Sequence, residues 1–235
     1  MWNFLINLHN ICYNQYMTSI LNYINNDFQP FDLDEKISFV QDFFADNSFS
    51  HFPVIKDGIY LGCVAADSAD GFDSDKTLSN HKYSFDGFFA RKNMIYLEVM
   101  HIFAKNHSNI LPILDNDNNY IGYYEQENIT AFFNETPFLS EPGHVIVIEK
   151  GILDYSMGQI TQIVESNNGR LLGCFISNSS LSSVQITLKI GLGSMNEMLQ
   201  SFRRYEYDIL SAHEEDVFIS NLKERSEYLE KYLSM

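Results

Sequence analysis

Apolar residues recur at helical spacing in two stretches of the chain, and two short apolar runs joined by a polar turn follow each stretch. The helices are predicted at residues 34–47 and 93–106. Their apolar stripes are Ile37, Val40, Phe43 and Phe44 in the first helix and Leu97, Met100, Phe103 and Ala104 in the second. The runs 52-FPVIKDGIYLGCV-64 and 111-LPILDNDNNYIGYY-124 each predict a strand, a turn and a strand, followed by a short helix.

The two stretches are copies of one unit. Pro53 aligns with Pro112 in the first strand of each hairpin, and Gly62 aligns with Gly122 in the second strand. The spacing between the two glycines is greater by one position than that between the two prolines, because the second turn is longer by a single residue. Since neither copy can bury its apolar face alone, the repeat predicts a pseudo-twofold pair in which each copy covers the other.

A different pattern follows residue 133. Two prolines and a glycine in 134-NETPFLSEPG-143 predict a linker. Strands are then predicted at 144–151, 170–177, 183–190 and 208–214, with helices at 156–169 and 195–207 that begin with capping boxes (Ser156 with Gln159, Ser194 with Glu197). The order βαββαβ is the ferredoxin-like arrangement. Residues 214–235 predict a further helix with a narrow apolar stripe.

Composition narrows the class of protein. A hydrophobic content of 45% is typical of a folded protein, and a formal net charge of −16 argues against nucleic-acid and membrane-surface partners. The three scattered cysteines fit a reducing, cytoplasmic setting, and no run of apolar residues is long enough to predict a membrane span. Residues 1–16 are expected to be a peripheral extension.

Motifs of catalysis and metal binding are missing from the sequence, which contains no GxSxG, HExxH, P-loop or CxxC pattern. The glycine-rich stretch 191-GLGSM-195 lacks the rest of a phosphate-binding fingerprint and predicts a strand-to-helix turn. We therefore expect no catalytic residue, no metal and no cofactor.

The form of the repeat, in which Pro and an aliphatic residue precede a turn, a Gly and a short helix, resembles the CBS domain, named after cystathionine β-synthase. The resemblance covers roughly residues 20–137. It implies an α+β fold, a disc of two β-α-β-β-α units, and an adenine-nucleotide site in the cleft between them.

The resemblance also implies which residues line that cleft. They are the strand residues Phe52, Val54, Leu111 and Ile113, and the third and sixth positions after each Gly, which are Ala65 and Ser68 in the first copy and Glu125 and Asn128 in the second. Neither copy keeps the Thr/Ser and Asp that CBS domains use for phosphate and ribose. Ala65 has no hydroxyl, and Glu125 would repel a phosphate by about 1 kcal/mol in water and about 4 kcal/mol at a protein surface. ATP is therefore disfavoured, which leaves a neutral or cationic adenosyl compound, or an empty cleft.

Residues 143–213 resemble an ACT domain, a module that often senses amino acids where its first strand meets its first helix. The resemblance places a ligand at Gly151, Ile152 and Leu153, whose backbone amides would meet a carboxylate. Asp154 beside them would oppose an anion, so a plain strand-to-helix turn is the alternative.

Both resemblances predict a non-enzymatic regulatory protein, similar to stand-alone bacterial CBS–ACT proteins of the acetoin-utilisation type. It would sense an adenosine derivative or an amino acid, form a homodimer and act on an unidentified protein partner. The competing hypothesis is an interaction module that dimerises without a small ligand. The expected domains are an extension (1–16), CBS 1 (17–80), CBS 2 (81–137), a linker (138–142), an ACT-like domain (143–213) and a C-terminal helix (214–235).

Overall fold

The chain divides into two compact units, Met1–Phe133 and Asn134–Met235. A computed structural model describes residues 20–210 of this 235-residue chain. The predictions made for residues 1–16 and 214–235 lie outside the described residues. Within the described part, no helix is long and apolar enough to cross a membrane.

Unit 1 consists of two β-α-β-β-α copies. The repeat predicts the helix, the hairpin and the short helix of each copy, and the resemblance to the CBS domain implies the leading strand. The first copy contains β1 (Phe31–Asp32), α1 (Ile37–Asp46), β2 (His51–Lys56), β3 (Ile59–Ala65) and α2 (Ala66–Asp70). A 3-10 helix (Leu78–Ser84) leads to the second copy, which contains β4 (Ala90–Arg91), α3 (Tyr96–Asn106), β5 (Ile110–Leu114), β6 (Tyr120–Glu125) and α4 (Gln126–Glu135).

The two copies share their strand register as well as their order of elements. Each forms a three-stranded sheet, β1-β2-β3 and β4-β5-β6, in which a parallel pair is followed by an antiparallel hairpin. Phe31 pairs with Val54 in the first copy, and Ala90 pairs with Ile113 in the second copy. Each residue of the second pair follows its counterpart in the first pair by the same number of positions. This α+β architecture is consistent with the fold of a CBS pair.

The apolar stripe is confirmed in α1 and is partly wrong in α3. In α1, Ile37 and Val40 are fully buried. In α3 the buried residues are Val99 and Phe103, whereas Leu97 is 59% exposed. Ala104, directly after Phe103, is exposed as well. Apolar residues occupy two neighbouring rows of this helix, so helical spacing alone does not decide which row faces the core.

Unit 2 begins with the short helix α5 (Pro137–Ser140), which lies inside the predicted linker. Pro137 stands at its start, where a fixed φ and a missing N–H favour a helix. The following elements are β7 (His144–Gly151), α6 (Met157–Ser166), β8 (Arg170–Ser179), β9 (Ser183–Gly191), α7 (Met195–Arg204) and β10 (Asp208–Ile209). Their antiparallel sheet has the order β10-β7-β9-β8, which is the ferredoxin-like topology.

One of the two predicted helix caps of unit 2 is present. Ser156 accepts a hydrogen bond from the backbone N–H of Gln159 at 3.3 Å, whereas the Ser194 side chain makes no capping bond. Helices α6 and α7 cover one face of the sheet and bury alternate residues of its central strands. On β9 these residues are Val184, Ile186, Leu188 and Ile190.

Candidate functional site

The two copies of unit 1 meet through residues at equivalent positions. Ser50 and Asn109 are related by the repeat, and the Asn109 side-chain oxygen accepts a hydrogen bond from the Ser50 backbone N–H at 2.9 Å. In return, the Asn109 N–H donates to Ser50 Oγ at 3.1 Å. Ile59 and Asn119, which the repeat also relates, form an antiparallel bridge at the hairpin tips. A pseudo-twofold axis between the copies therefore passes through both of these contacts.

The short segment that precedes each copy also pairs with the hairpin of the other copy. Asn25, which precedes the first copy, pairs with Tyr123 of β6 through two backbone hydrogen bonds of 2.8 and 3.0 Å. Asp86, which precedes the second copy, pairs in the same way with Cys63 of β3 through two bonds of 2.8 Å. The hairpin of each copy is thus extended by residues that lead into the other copy, which joins the two copies by main-chain bonds.

The glycine shared by the two motifs allows this exchange. Gly62 and Gly122 have φ values of +145° and +144°, which residues with a side chain rarely adopt. A Cβ on Gly122 would lie 2.9 Å from the Asn25 carbonyl oxygen, and a Cβ on Gly62 would lie 2.8 Å from the Cβ of Phe85. The motif glycine is therefore needed because another strand segment passes over it.

The four apolar residues predicted to line the cleft are fully buried. Phe52 and Val54 lie in a hydrophobic cluster with α1, and Leu111 and Ile113 lie in a second cluster with α3; all four are 0% exposed. Their side chains are part of the two cores and offer no surface to a ligand. The backbone beside them is what a bound molecule could reach.

Aromatic rings fill one side of the junction between the copies. Tyr123 of the second copy lies 6.0 Å from Phe49 and 5.9 Å from Phe52 of the first copy, measured between ring centroids. Ser108 stands at the position of the second copy that is equivalent to Phe49, so the symmetry-related side has a small residue in place of a phenyl ring. The pseudo-twofold symmetry is therefore broken where the cleft would be.

The predicted polar positions remain partly accessible. Ala65 and Ser68 are half-buried around the start of α2, and Glu125 and Asn128 are half-buried around the start of α4. Glu125 is held in place, because its Oε1 accepts a 2.6 Å hydrogen bond from the Asn25 side-chain amide. The carboxylate is thus held at the position that the resemblance to CBS domains assigns to a phosphate.

Two further polar residues lie near the first-copy position and were not predicted from the sequence. Ala65 pairs with His51 across the β2–β3 hairpin, and His51 Nε2 lies 3.5 Å from an Asp86 carboxylate oxygen. Burial lowers the pKa of His51, while the Asp86 and Asp67 carboxylates act in the opposite direction. His51 and Asp86 are far apart in the chain, and only the pairing of Asp86 with β3 brings them together.

Ser50, His51 and Asp86 form a contact that superficially resembles a catalytic triad. Ser50 Oγ lies 3.0 Å from His51 Nδ1, whereas in hydrolases the serine contacts Nε2 and the aspartate contacts Nδ1. Ser50 Oγ is also bonded to both the N–H and the side-chain oxygen of Asn109 at the pseudo-twofold axis. A nucleophile needs an open path to its substrate, so this arrangement is structural. Within residues 20–210, no group of three or more His, Cys, Asp or Glu side chains is placed to hold a metal ion.

The structure brings Gly151, Ile152 and Leu153 of unit 2 together in a turn, in which the Ile152 amide is engaged by the chain itself. Ile152 N–H donates to Ser182 at 3.0 Å, and the N–H groups of Asp154 and Tyr155 both donate to the Gly151 carbonyl. The Asp154 carboxylate reaches within 2.6 Å of the place where a Cβ on Gly151 would stand. This geometry favours the plain strand-to-helix turn over an amino-acid site.

Comparisons with known proteins find similarity only at the level of structure. No protein-family model matches the chain, and no curated protein matches it significantly. A CBS domain pair/ACT domain protein from Thermotoga maritima aligns with 49% of this chain and 95% of its own, at 16% identity and a TM-score of 0.45. The CBS domains of a transcriptional regulator from Streptococcus pneumoniae align with 48% of this chain and 96% of their own, at 13% identity and a TM-score of 0.43. CBSX2 in complex with AMP aligns with 48% and 93%, at 11% identity and a TM-score of 0.41.

These alignments cover about half of the chain, and their TM-scores are below 0.5. The description of unit 1 as consistent with a CBS pair therefore rests on the chain's own motif, repeat and strand topology.

Proposed function

We propose that this chain is a non-catalytic regulatory protein whose CBS pair acts through protein contacts and holds no adenine nucleotide in its cleft. The observation that carries the proposal is the burial of Phe52, Val54, Leu111 and Ile113, each 0% exposed. These side chains stabilise the two cores, so they offer no apolar surface to an adenine ring between the copies.

Charge repulsion also disfavours a bound nucleotide. Glu125 stands where the resemblance to CBS domains assigns a phosphate in the second copy, and Asn25 holds its side chain in place. A carboxylate and a phosphate about 4 Å apart repel by about 1 to 4 kcal/mol, which lowers affinity by roughly five-fold to several hundred-fold. The formal net charge of −16 adds a repulsive field around the whole molecule.

Exposed apolar side chains lie on or directly before two helices of unit 1. Ile95 and Leu97, beside and within the first turn of α3, are 55% and 59% exposed, and Phe39 on α1 is 53% exposed. Such side chains on an otherwise acidic protein suit contacts with another protein better than contacts with a small polar ligand.

A thermal-melt screen with ATP, AMP, adenosine and S-adenosylmethionine tests the proposal. A ligand present at one hundred times its dissociation constant adds about 2.7 kcal/mol, which corresponds to roughly 5–10 °C for a chain of this size. We expect no shift with ATP or AMP. A shift of that size with either nucleotide would overturn the proposal.

A double variant separates the effect of charge from the effect of the filled cleft. Glu125→Thr with Asn128→Asp restores the residue pair that CBS domains use for phosphate and ribose. Glu127→Thr with Asn128→Asp is the matched control, because it makes the same exchange of charges but changes the exposed Glu127 of α4 and keeps Glu125. A melting shift with AMP in the variant without Glu125 alone would identify Glu125 as the main barrier to nucleotide binding. No shift in either variant would indicate that the packing between the copies excludes the nucleotide.

A second candidate function is the binding of a cationic adenosyl compound on the first-copy side. On that side the repeat places Ser108 where the other side has the Phe49 ring. The negative charges of Asp67 and Asp86 favour protonated His51, and they would also attract a cationic ligand. S-Adenosylmethionine would then raise the melting temperature while adenosine would not, and Asp86→Asn would reduce that shift. An equal response to both compounds would exclude a role for the carboxylates.

A further inference from the structure

Helices α6 and α7 both lie on one face of the unit 2 sheet, and the opposite face carries apolar side chains that remain exposed. Side chains alternate along a strand, so Val145 and Val147, which alternate with buried residues of β7, point to this opposite face. Phe175 of β8 is in register with Val147 through Thr187 of β9, and Leu210 is in register with Val147 from the other side. We call Val145, Val147, Phe175 and Leu210 the open face. Three of these side chains are about half exposed: Val145 (53%), Phe175 (49%) and Leu210 (48%).

One end of the open face already holds a helix of the same chain. Phe138 of α5 packs over Gly173 of β8, where a Cβ would stand 2.5 Å from the phenyl ring. The Phe138 and Phe175 rings are 6.2 Å apart between centroids. Two polar residues on this side of the sheet bond to each other, since the Gln185 amide donates to the Glu149 carboxylate at 2.8 Å. The sheet therefore accepts a helix on this side, and α5 is too short to cover the apolar side chains beyond Phe175.

The chain continues past Leu210 into a segment whose apolar pattern matches the open face. The Leu210 N–H donates to the Val147 carbonyl at 2.8 Å, so residues 211–235 leave the sheet directly beside this face. The apolar stripe of the helix predicted at 214–235 consists of Phe218, Leu222, Leu229 and Leu233. At 1.5 Å per residue the stripe is about 22 Å long, which is close to the length of about 24 Å expected for the eight-residue strand β7.

A tethered segment also has an advantage over a second molecule at this face. Because residue 211 follows Leu210 directly, the C-terminal segment is present at an effective concentration of about millimolar. A second copy of the chain would have to approach against a formal net charge of −16 on each molecule. Docking of the segment removes its apolar stripe and the exposed part of the open face from water together, which is the main favourable term in packing.

We propose that residues 214–235 form a helix that packs its apolar stripe against the open face of the unit 2 sheet. The sheet then lies between two layers of helices. The contact is made within one chain, so it does not depend on protein concentration, and it keeps the open face from other proteins while the segment is docked. It goes beyond the proposed function, because it concerns unit 2 and holds whether or not the CBS pair binds a nucleotide.

The reactivity of cysteines placed on the open face tests the proposal in the full chain. Val145→Cys and Phe175→Cys are made separately in a Cys12→Ser, Cys174→Ser background, in which the remaining Cys63 is buried. Mass spectrometry of native protein gives the rate at which each new thiol reacts with a maleimide. We expect the docked segment to slow this reaction by about tenfold at both positions, which corresponds to about 1.4 kcal/mol in favour of docking.

Two matched variants of the C-terminal segment separate packing from charge. Leu222→Glu with Leu229→Glu places two charges in the apolar stripe and should raise the labelling rate at both cysteines by the full tenfold or so. Ser220→Glu with Ser234→Glu places the same two charges on the opposite side of the predicted helix and should leave labelling slow. A thiol at the fully exposed hairpin tip, Leu181→Cys, should react at one rate whichever segment is present.

A third variant, Leu222→Ser with Leu229→Ser, weakens the stripe without adding charge and should also speed labelling, and circular dichroism melts confirm that each protein is folded. Equal labelling rates with the unchanged segment and with both stripe variants would overturn the proposal. Acceleration by the Ser220→Glu, Ser234→Glu variant as large as that of the stripe variants would attribute the effect to charge and would also overturn it. Protection that increases with protein concentration would assign the face to a second copy instead.

Discussion

The motif glycine of the second copy offers a direct test of how the two copies are joined. Gly122→Ala adds a Cβ that would lie 2.6 Å from an Ile24 methyl, 2.8 Å from the Asn26 side-chain oxygen and 2.9 Å from the Asn25 carbonyl oxygen. The Ile24 methyl can rotate away, but the carbonyl oxygen cannot move without breaking the bridge between Asn25 and Tyr123. The φ of +144° adds a conformational cost for any residue other than glycine.

The expected loss of stability follows from these two effects. An unfavourable backbone conformation costs about 1–3 kcal/mol, and the steric overlap costs a further 1–3 kcal/mol or so. Together they reduce the free energy of unfolding by roughly 2–6 kcal/mol, out of about 5–15 kcal/mol for a typical protein. At about 2–4 °C per kcal/mol, the melting temperature should fall by at least several degrees.

Urea unfolding followed by circular dichroism measures the loss, with Gly58→Ala as the matched control. Gly58 also has a positive φ, +81°, but a Cβ on it would meet no atom within 4 Å. The control should therefore lose only the backbone part, about 1–2 kcal/mol. If Gly122→Ala and Gly58→Ala were equally stable, the close approach of the segment around Asn25 could not be the reason for the glycine.

Three further predictions concern cysteine reactivity, pH dependence and the contact at the pseudo-twofold axis. Burial raises the pKa of the Cys63 thiol to about 12. Mass spectrometry of native protein near pH 8 should therefore find that Cys63 is alkylated about a thousandfold more slowly than the exposed Cys174, and similar rates would contradict this. Burial lowers the pKa of His51, so the unfolded chain binds more protons than the folded chain near pH 6, and the free energy of unfolding should fall as the pH drops through that range. His51→Gln should make this pH dependence weaker, and an unchanged dependence would refute the role of His51. Asn109→Ala removes the side-chain hydrogen bonds to Ser50 and Ser48 and should lower the free energy of unfolding by about 1–3 kcal/mol, whereas Asn116→Ala, at an exposed turn position, should lower it by less than about 0.5 kcal/mol.

The repeat and its helices and strands were predictable because they depend on local sequence patterns. The spacing of Ile37 and Val40 identifies a helix face, and the matching prolines and glycines of the two hairpins identify equivalent strands. The same reasoning failed at Leu97, where two neighbouring helical rows both carry apolar residues. Burial there depends on which row the sheet of the second copy faces, and that is a tertiary property.

The candidate site was less predictable, because its properties depend on contacts between distant residues. The sequence by itself determined that two copies of one unit exist, that Glu125 stands three positions after the motif glycine of the second copy, and that a βαββαβ unit follows. Only the tertiary structure decided that the lead segment of each copy crosses to the other, which places Asn25 on Glu125 and Asp86 beside His51. Backbone hydrogen bonds between segments far apart in the chain leave no trace in local periodicity, since any residue with a free N–H and C=O can make them.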